Sequence, residues 1–268
     1  MQKKQILLTN DDGIHSPGLW AAAEALSNLG YVSVAAPRDQ SSGMGRSMPA
    51  GSDGIIHCET LTICGREWPV FAVGGTPAQV VVHAVQEIMP QPPDLVVSGI
   101  NYGENVGSGL TISGTVGAAM QAADMGFPAL AMSLETDAQH FFSYSPGVDF
   151  SVAGHFTAVF ACLLLEKRLP GEVGLFKVDV PSQATRDTPW KLTRCSRQPY
   201  FRSAAPQRKS WDVPGRLSFT LGVDLEREPH DSDVYVLRES RMVSVTPLSL
   251  DFTARVDFNA LDGLLRSS

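Results

Sequence analysis

The 268-residue sequence lacks paired cysteines, a long apolar run and any excess of positive charge. Its four cysteines, Cys58, Cys64, Cys162 and Cys195, form no CxxC pair and sit mostly in apolar or strand-like runs. That argues against a disulfide framework or a zinc ribbon and for reduced thiols in a cytoplasmic protein. The longest apolar stretch, Phe156 to Leu165, is interrupted and ends in Glu166-Lys167-Arg168, short of the ~20 residues that span a bilayer. The opening MQKKQILL turns at once into a motif, so no secretory leader is expected. A formal net charge of -7 disfavours a nucleic-acid polymer, which needs a concentrated Lys/Arg surface. A small phosphorylated ligand stays open, since a few donors or a metal suffice for it. No GxSxG, HExxH, Walker A or GxGxxG occurs in the context those motifs require. The histidines His57, His83, His140, His155 and His230 lack metal-ligand spacing and read as surface or core residues. No repeat or low-complexity tract is present either, so disorder is excluded.

What is present is alternation. Short apolar runs bounded by turn residues are each followed by a helical pattern, which predicts an α/β fold with a doubly wound, mostly parallel sheet. The first run, Ile6 to Thr9, leads to Ser16 as a predicted N-cap, Pro17 at the first helical position, and Gly30 as the expected helix end. Val32 to Ala36 is the next strand, and the polar loop from Arg38 to Gly54 is too long for a mere connection. A hairpin-like pair covers about Ile55 to Val73, and Thr76-Pro77 opens a helix. PDLVVSGIN, Pro93 to Asn101, has the continuous apolar character of a central parallel strand. A Gly-rich loop then enters a helix from about Ser113 to Met125, followed by the strand PALAMSL, a helix from Val148 to Arg168 and the strand GLFKVDVP. Beyond Pro181 the pattern changes to short β-like runs (WKLTRCS, RLSFTLG, MVSVTPLSL) and a terminal helix from about Val256 to Leu265. The expected division is a core over residues 1–181 and a β-rich extension over 182–268, the two integrated, with the extension packed on the sheet or on a partner subunit.

Ligands of parallel α/β sheets bind at the carboxyl ends of the strands, at a switch in strand order. Three marked loops leave such ends: Asn10-Asp11-Asp12-Gly13, Ser41-Ser42-Gly43, and Asn101 to Gly114. Adjacent carboxylates repel unless a cation lies between them or one stays protonated. Asp11 and Asp12 with the neutral oxygens of Ser42 and Asn101 make an all-oxygen set suited to Mg²⁺, Mn²⁺ or Ca²⁺ and not to Zn²⁺. Alone, the DDG stretch reads more simply as an Asx turn at a helix start; the three loops together favour the cation site. SGTVGAAM, from Ser113, is either a phosphate cradle or an ordinary cap. Asn101 and Asn105 among Gly99, Gly103 and Gly107 form a loop whose amides can face a phosphoryl oxygen, or a flexible connection. His15, three positions after Asp12, either supports the residues of the site from behind or is simply part of the turn. A cation and amide donors around a phosphate would serve phosphoryl transfer to water, with Asn105 and the Ser113–Thr115 helix start stabilising the charge that develops.

The blocks ILLTNDDGIHSPG, SSGMGRS, GGTPA, LVVSGINYGENVG, SGTVGAAM with GFPALAMSL, and VSVTPL, in this order from Ile6 to about Asp251, closely resemble the survival protein E family of nucleotidases. The resemblance implies a Rossmann-like core and a divalent-metal-dependent phosphomonoesterase that hydrolyses nucleoside 5'- and 3'-monophosphates by metal-activated water, in some members also short polyphosphate. It implies homodimers or homotetramers assembled through the β extension; net charge and hydropathy, read above, leave no membrane and no nucleic-acid polymer as expected partner. One divalent cation per subunit, Mg²⁺ or Mn²⁺ with Ca²⁺ as a third candidate, falls to Asp11, Asp12, Ser42 and Asn101. Asn105 falls beside the phosphate with Asn101, and Ser113, Gly114 and Thr115 fall on the phosphate-contacting turn; Asp11, Asp12 and Asn105 are the expected catalytic set. Four positions depart from the family pattern: Gln79 where an acid is usual, Ile112 where a tyrosine often stands, and Arg241-Met242 for the usual Gly-Tyr. The alternatives are a broader phosphatase, a nucleotide binder without turnover, a receiver module, and a haloacid-dehalogenase-like phosphatase. The receiver lacks its phospho-accepting Asp, since Asn101 stands there, and the dehalogenase type lacks its second acid, since Gly13 stands there.

Overall fold

Strand β1 (Lys4–Thr9) alternates its side chains between two cores: Ile6 and Leu8 enter one, Leu7 the other, and all three are fully buried. Such two-sided burial is what a central strand with helices on both faces requires. The computed structural model, which describes residues 3–137, 140, 144–145 and 147–267, supplies those helices. On one face lie α1 (Pro17–Leu26) and α4 (Ser151–Glu166), contributing Leu19, Trp20, Phe156 and Phe160 to the core. On the other lie α2 (Pro77–His83), which continues as a π turn over Ala84–Ile88, and α3 (Gly114–Asp124).

The remaining strands are β2 (Gly30–Pro37), β3 (Ile56–Ile63), β4 (Arg66–Val73), β5 (Leu95–Tyr102), β6 (Ala129–Leu134), β7 (Leu175–Val180), β8 (Trp190–Leu192), β9 (Phe201–Ala204), β10 (Ser218–Leu221) and β11 (Val243–Leu248). Among the described residues, nine of the eleven strands form one sheet in the order β3-β4-β2-β1-β5-β6-β7-β11-β8, while β9 and β10 pair separately. From β4 to β7 every pairing is parallel; β3 is antiparallel to β4, and β11 to β7. The chain leaves β1 toward β2 and returns on its other side at β5, so the strand order switches between the carboxyl ends of β1 and β5. That is where an open α/β sheet leaves a crevice.

The C-terminal segment is interleaved with this sheet. β11 lies beside β7, and α5 (Asp233–Arg238) joins Val106 and Tyr200 in a small apolar cluster through Val234 and Leu237. The last helix, α6 (Phe258–Arg266), buries no residue. Two local expectations are corrected. Gly30 does not end α1, which stops at Leu26; it begins β2, where a Cβ would lie 2.3 Å from the Lys4 carbonyl oxygen, so close strand approach requires glycine there. Ser16 precedes α1 without capping it through its side chain, and its hydroxyl is buried without a hydrogen-bond partner.

Candidate active site

The switch-point crevice receives Asp11 and Asp12 because β1 runs out at Thr9 and Gly13 turns the chain at φ +97°, a conformation that glycine adopts without strain. Asn10 locks this turn, its amide donating to the Gly13 carbonyl and its carbonyl accepting the Gly13 N–H. Both aspartates are buried, at 4% and 1% exposure.

Asp11 lies on the N-terminus of α3. The Thr115 hydroxyl donates to its Oδ1 at 2.5 Å, and the backbone of Gly114 and Thr115 favours its ionised form. Gly114 lets the two elements meet: a Cβ there would lie 2.6 Å from the Asp11 Cβ. Burial nevertheless holds the Asp11 carboxyl above its ordinary value. Asp12 has less help. Its Oδ1 accepts a long bond of 3.4 Å from Gln40, and its Oδ2 is buried without a partner. Burial first, and then the Asp11 charge, push Asp12 up to about 8. Two buried acids, one of them with an orphaned oxygen, is the electrostatic situation a cation relieves.

The other loops close on the same point. The Ser41 N–H donates to the Asp11 carbonyl at 2.7 Å and the Gly45 N–H to the Ile112 carbonyl at 3.0 Å, which pins the exposed Ser42 between the end of β1 and the start of α3. Asn101, near the end of β5, donates through its amide nitrogen to the Tyr102 and Gly103 carbonyls, leaving its oxygen for other partners. Asn105 is held twice, by its N–H on Asp179 at 2.7 Å and by its amide nitrogen on Ser133 at 2.8 Å. The Ser113 hydroxyl caps α3 by accepting the Val116 N–H, and the Thr115 hydroxyl is taken by Asp11. The Ser113 oxygen is thus used as an acceptor while its O–H proton stays free to donate, whereas the Thr115 proton is given to Asp11. His15 is exposed. Among the described residues no three His, Cys, Asp or Glu side chains cluster as a metal site, so a cation here would need neutral donors, Ser42 and Asn101, besides the aspartates.

The family model for survival protein SurE matches residues 6–202. Relatives named 5'-nucleotidase SurE are 40% identical in Thermococcus gammatolerans over 261 residues, covering 97% of this chain and 96% of the relative, and 38% identical in Methanosarcina acetivorans over 270 residues, covering 97% of each. The chain belongs to the SurE family. The crystal structure of the SurE protein from Aquifex aeolicus superposes with a TM-score of 0.74 at 26% identity, over 97% of this chain and 98% of that one.

Within that family pattern the departures acquire physical roles. Gln79 closes a capping box, its carbonyl accepting the Thr76 N–H at 3.0 Å while Thr76 accepts the Gln79 N–H; the same carbonyl accepts the Ser52 hydroxyl, and the amide nitrogen donates to the Pro49 carbonyl. It secures the start of α2 and the 47–52 loop. Ile112 is 57% exposed and serves through its carbonyl. Arg241 stands at φ +53°, in the left-handed region that glycine favours; its guanidinium grips both oxygens of Glu135 at 3.0 and 2.6 Å. Reading the sequence missed the residues that hold Asp12: Gln40, and Tyr144, whose hydroxyl donates to the Asp12 carbonyl at 2.6 Å. Nothing in the local spacing announces them. It also missed Ser133 and Asp179 under Asn105, although an aspartate inside the apolar run GLFKVDVP was a visible signal.

Proposed function

We propose that the protein is a divalent-metal-dependent nucleotidase that hydrolyses nucleoside 5'-monophosphates, and 3'-monophosphates as well, to nucleoside and phosphate. The observation that carries this reading is the buried Asp11–Asp12 pair at the switch point, with Asp12 Oδ2 unpartnered. Asp11, Asp12, Ser42 and Asn101 are the residues that would hold Mg²⁺ or Mn²⁺. When bound there, such a cation neutralises phosphoryl oxygens and lowers the pKa of an attacking water.

The chain's own groups do the rest. Asn105, fixed on Ser133 and Asp179, presents its amide to a phosphoryl oxygen as negative charge shifts during P–O cleavage. Asn101 and the Ser113–Thr115 turn flank the same group, and the helix N-terminus favours the anionic ligand set as a whole. Because Asp11 and Asp12 are buried and tethered, they are positioned before substrate arrives, and little reorganisation accompanies the reaction.

The assembly is proposed as a homodimer or homotetramer. Trp211 at 94% exposure, Phe219 on β10, and Leu264 and Leu265 of α6 are exposed apolar side chains that a partner subunit would cover. A cytoplasmic setting fits the four free cysteines, and among the described residues no helix is long and apolar enough to cross a membrane.

Phosphate release from a panel of nucleoside 5'- and 3'-monophosphates, with Mg²⁺ or Mn²⁺ and with chelator, tests the reading. Turnover lost on chelation and in Asp11→Asn is expected. Turnover that survives both, or a stable phosphoryl adduct on Asp11, would sink it.

A further inference from the structure

Three charged side chains with no exposure meet behind the site: Lys177 on β7, Asp179 two residues on, and Asp233 at the start of α5. The Lys177 ammonium lies 2.6 Å from Asp179 Oδ2 and 3.1 Å from Asp233 Oδ2. A buried ion cluster is a weak source of stability, because well-packed apolar residues of similar volume often serve as well or better. The other bonds that its carboxylates accept show where it acts. Asp179 Oδ1 accepts the N–H of Asn105 at 2.7 Å. Asp233 Oδ2 accepts the N–H of Gly107 at 3.1 Å, and its Oδ1 accepts that of Ser196 at 2.8 Å.

The loop is fastened from the same side elsewhere. The Tyr200 hydroxyl donates to Glu104 at 2.5 Å, the Ser108 N–H donates to the Gln198 carbonyl, and Gly107, at φ +69°, leaves room for Gln198 and Tyr200 that a Cβ would take. Every residue on that far side, Ser196, Gln198, Tyr200 and Asp233, belongs to the C-terminal segment. Strand register continues the line from within the sheet: Asn101 lies opposite Ser133, and Ser133 opposite Asp179.

We infer that the Lys177–Asp179–Asp233 triad is a positioning element, which fixes the Asn105 segment over the ends of β6 and β7 and makes the geometry of the phosphate site depend on the docked C-terminal segment. The inference rests on the nucleotidase reading for its rate consequence and on hydrogen bonds alone for its structural one. None of the three side chains is exposed, so none touches substrate; each acts through Asn105 or Gly107.

The test compares Asp179→Ala and Asp179→Asn with the wild-type chain, using turnover of a nucleoside 5'-monophosphate and hydrogen exchange of the Asn105–Gly107 amides. Asp179→Ala is expected to lower kcat by about tenfold or more with KM within about threefold, because it releases a donor aimed at the transition state and not the substrate contacts as a whole. Asp179→Asn keeps an oxygen acceptor for the Asn105 N–H and recovers part of that loss. Exchange at Asn105 and Gly107 quickens in Asp179→Ala while β1 and α3 keep their protection. A kcat within about twofold of wild type in Asp179→Ala, or equal losses in both variants that track only the folded fraction, overturns the inference. Should Asp179→Ala not fold, Asp179→Asn decides: a slower kcat with faster Asn105 exchange supports the triad, and unchanged values refute it. If the wild-type chain releases no phosphate from any nucleotide, the nucleotidase reading fails by itself. Exchange then decides the positioning, and wild-type exchange rates in Asp179→Ala overturn it.

Discussion

Asp12→Asn should stabilise the cation-free protein while abolishing its activity. In the folded chain the Asp12 carboxyl titrates near 8 against an ordinary 3.8, raised by burial and by Asp11. An acid whose folded pKa is raised binds its proton more tightly when folded, so stability is greatest at low pH and falls as pH climbs from the unfolded value toward the folded one. Between about 4 and 8 the slope approaches about 1.4 kcal/mol per pH unit. At pH 7 the accumulated penalty has a ceiling of about 4 kcal/mol, before relaxation and water entry reduce it. Asparagine keeps the shape and an acceptor for Gln40 and carries no charge to bury. Thermal unfolding in chelator from pH 4.5 to 8 is the assay. Wild type should lose several degrees across that range, Asp12→Asn should lose less, since only Asp11 is left as a raised acid, and unfold higher at pH 8, and Mn²⁺ should raise the wild-type midpoint only. A flat wild-type profile, or an Asp12→Asn variant that is the less stable of the two at pH 8 without cation, would refute the burial and repulsion argued for this pair.

Other substitutions probe the supports of the site. Thr115→Val removes the hydroxyl that donates to Asp11 at 2.5 Å; a stability loss of about 1–2 kcal/mol is expected, with weaker Mn²⁺ binding by calorimetry. Gly114→Ala places a Cβ 2.6 Å from that of Asp11, and turnover should fall at least about tenfold because the carboxylate is displaced, even where denaturant unfolding shows a folded chain. Lys177→Met leaves Asp179 and Asp233 buried without their cation, so unfolding in urea should show a loss of about 3–5 kcal/mol.

The parallel core was legible because strands buried on both faces are written as unbroken apolar runs, LVVSGI of β5 and ALAMSL of β6 above all. The aspartate pair was legible for the opposite reason, as charge where such a run stops. Gly30 was misread because a glycine after a helical pattern looks the same whether it ends the helix or lets a strand approach another. The short strand β9 and helix α5 escaped notice since four- and six-residue elements carry too little periodicity. The hold on the Asn105–Gly107 stretch depends on contacts across 74 residues, from Asn105 to Asp179 of β7, and across 126, from Gly107 to Asp233 of the C-terminal segment, and no local pattern encodes those. Thr115 shows a further limit: its hydroxyl donates to Asp11, a contact set by the close packing that Gly114 permits and by no local spacing.

The central claim is that Asp11 and Asp12 are a cation site, and titration calorimetry of Mn²⁺ into chelator-stripped protein near pH 7, repeated in two buffers of different ionisation enthalpy, addresses it most directly. The account predicts one Mn²⁺ per subunit, uptake accompanied by release of about one proton as Asp12 ionises, affinity that weakens as pH falls below about 8, and no saturable binding in Asp12→Asn. Undiminished binding in Asp12→Asn, or wild-type binding that releases no proton, would contradict it.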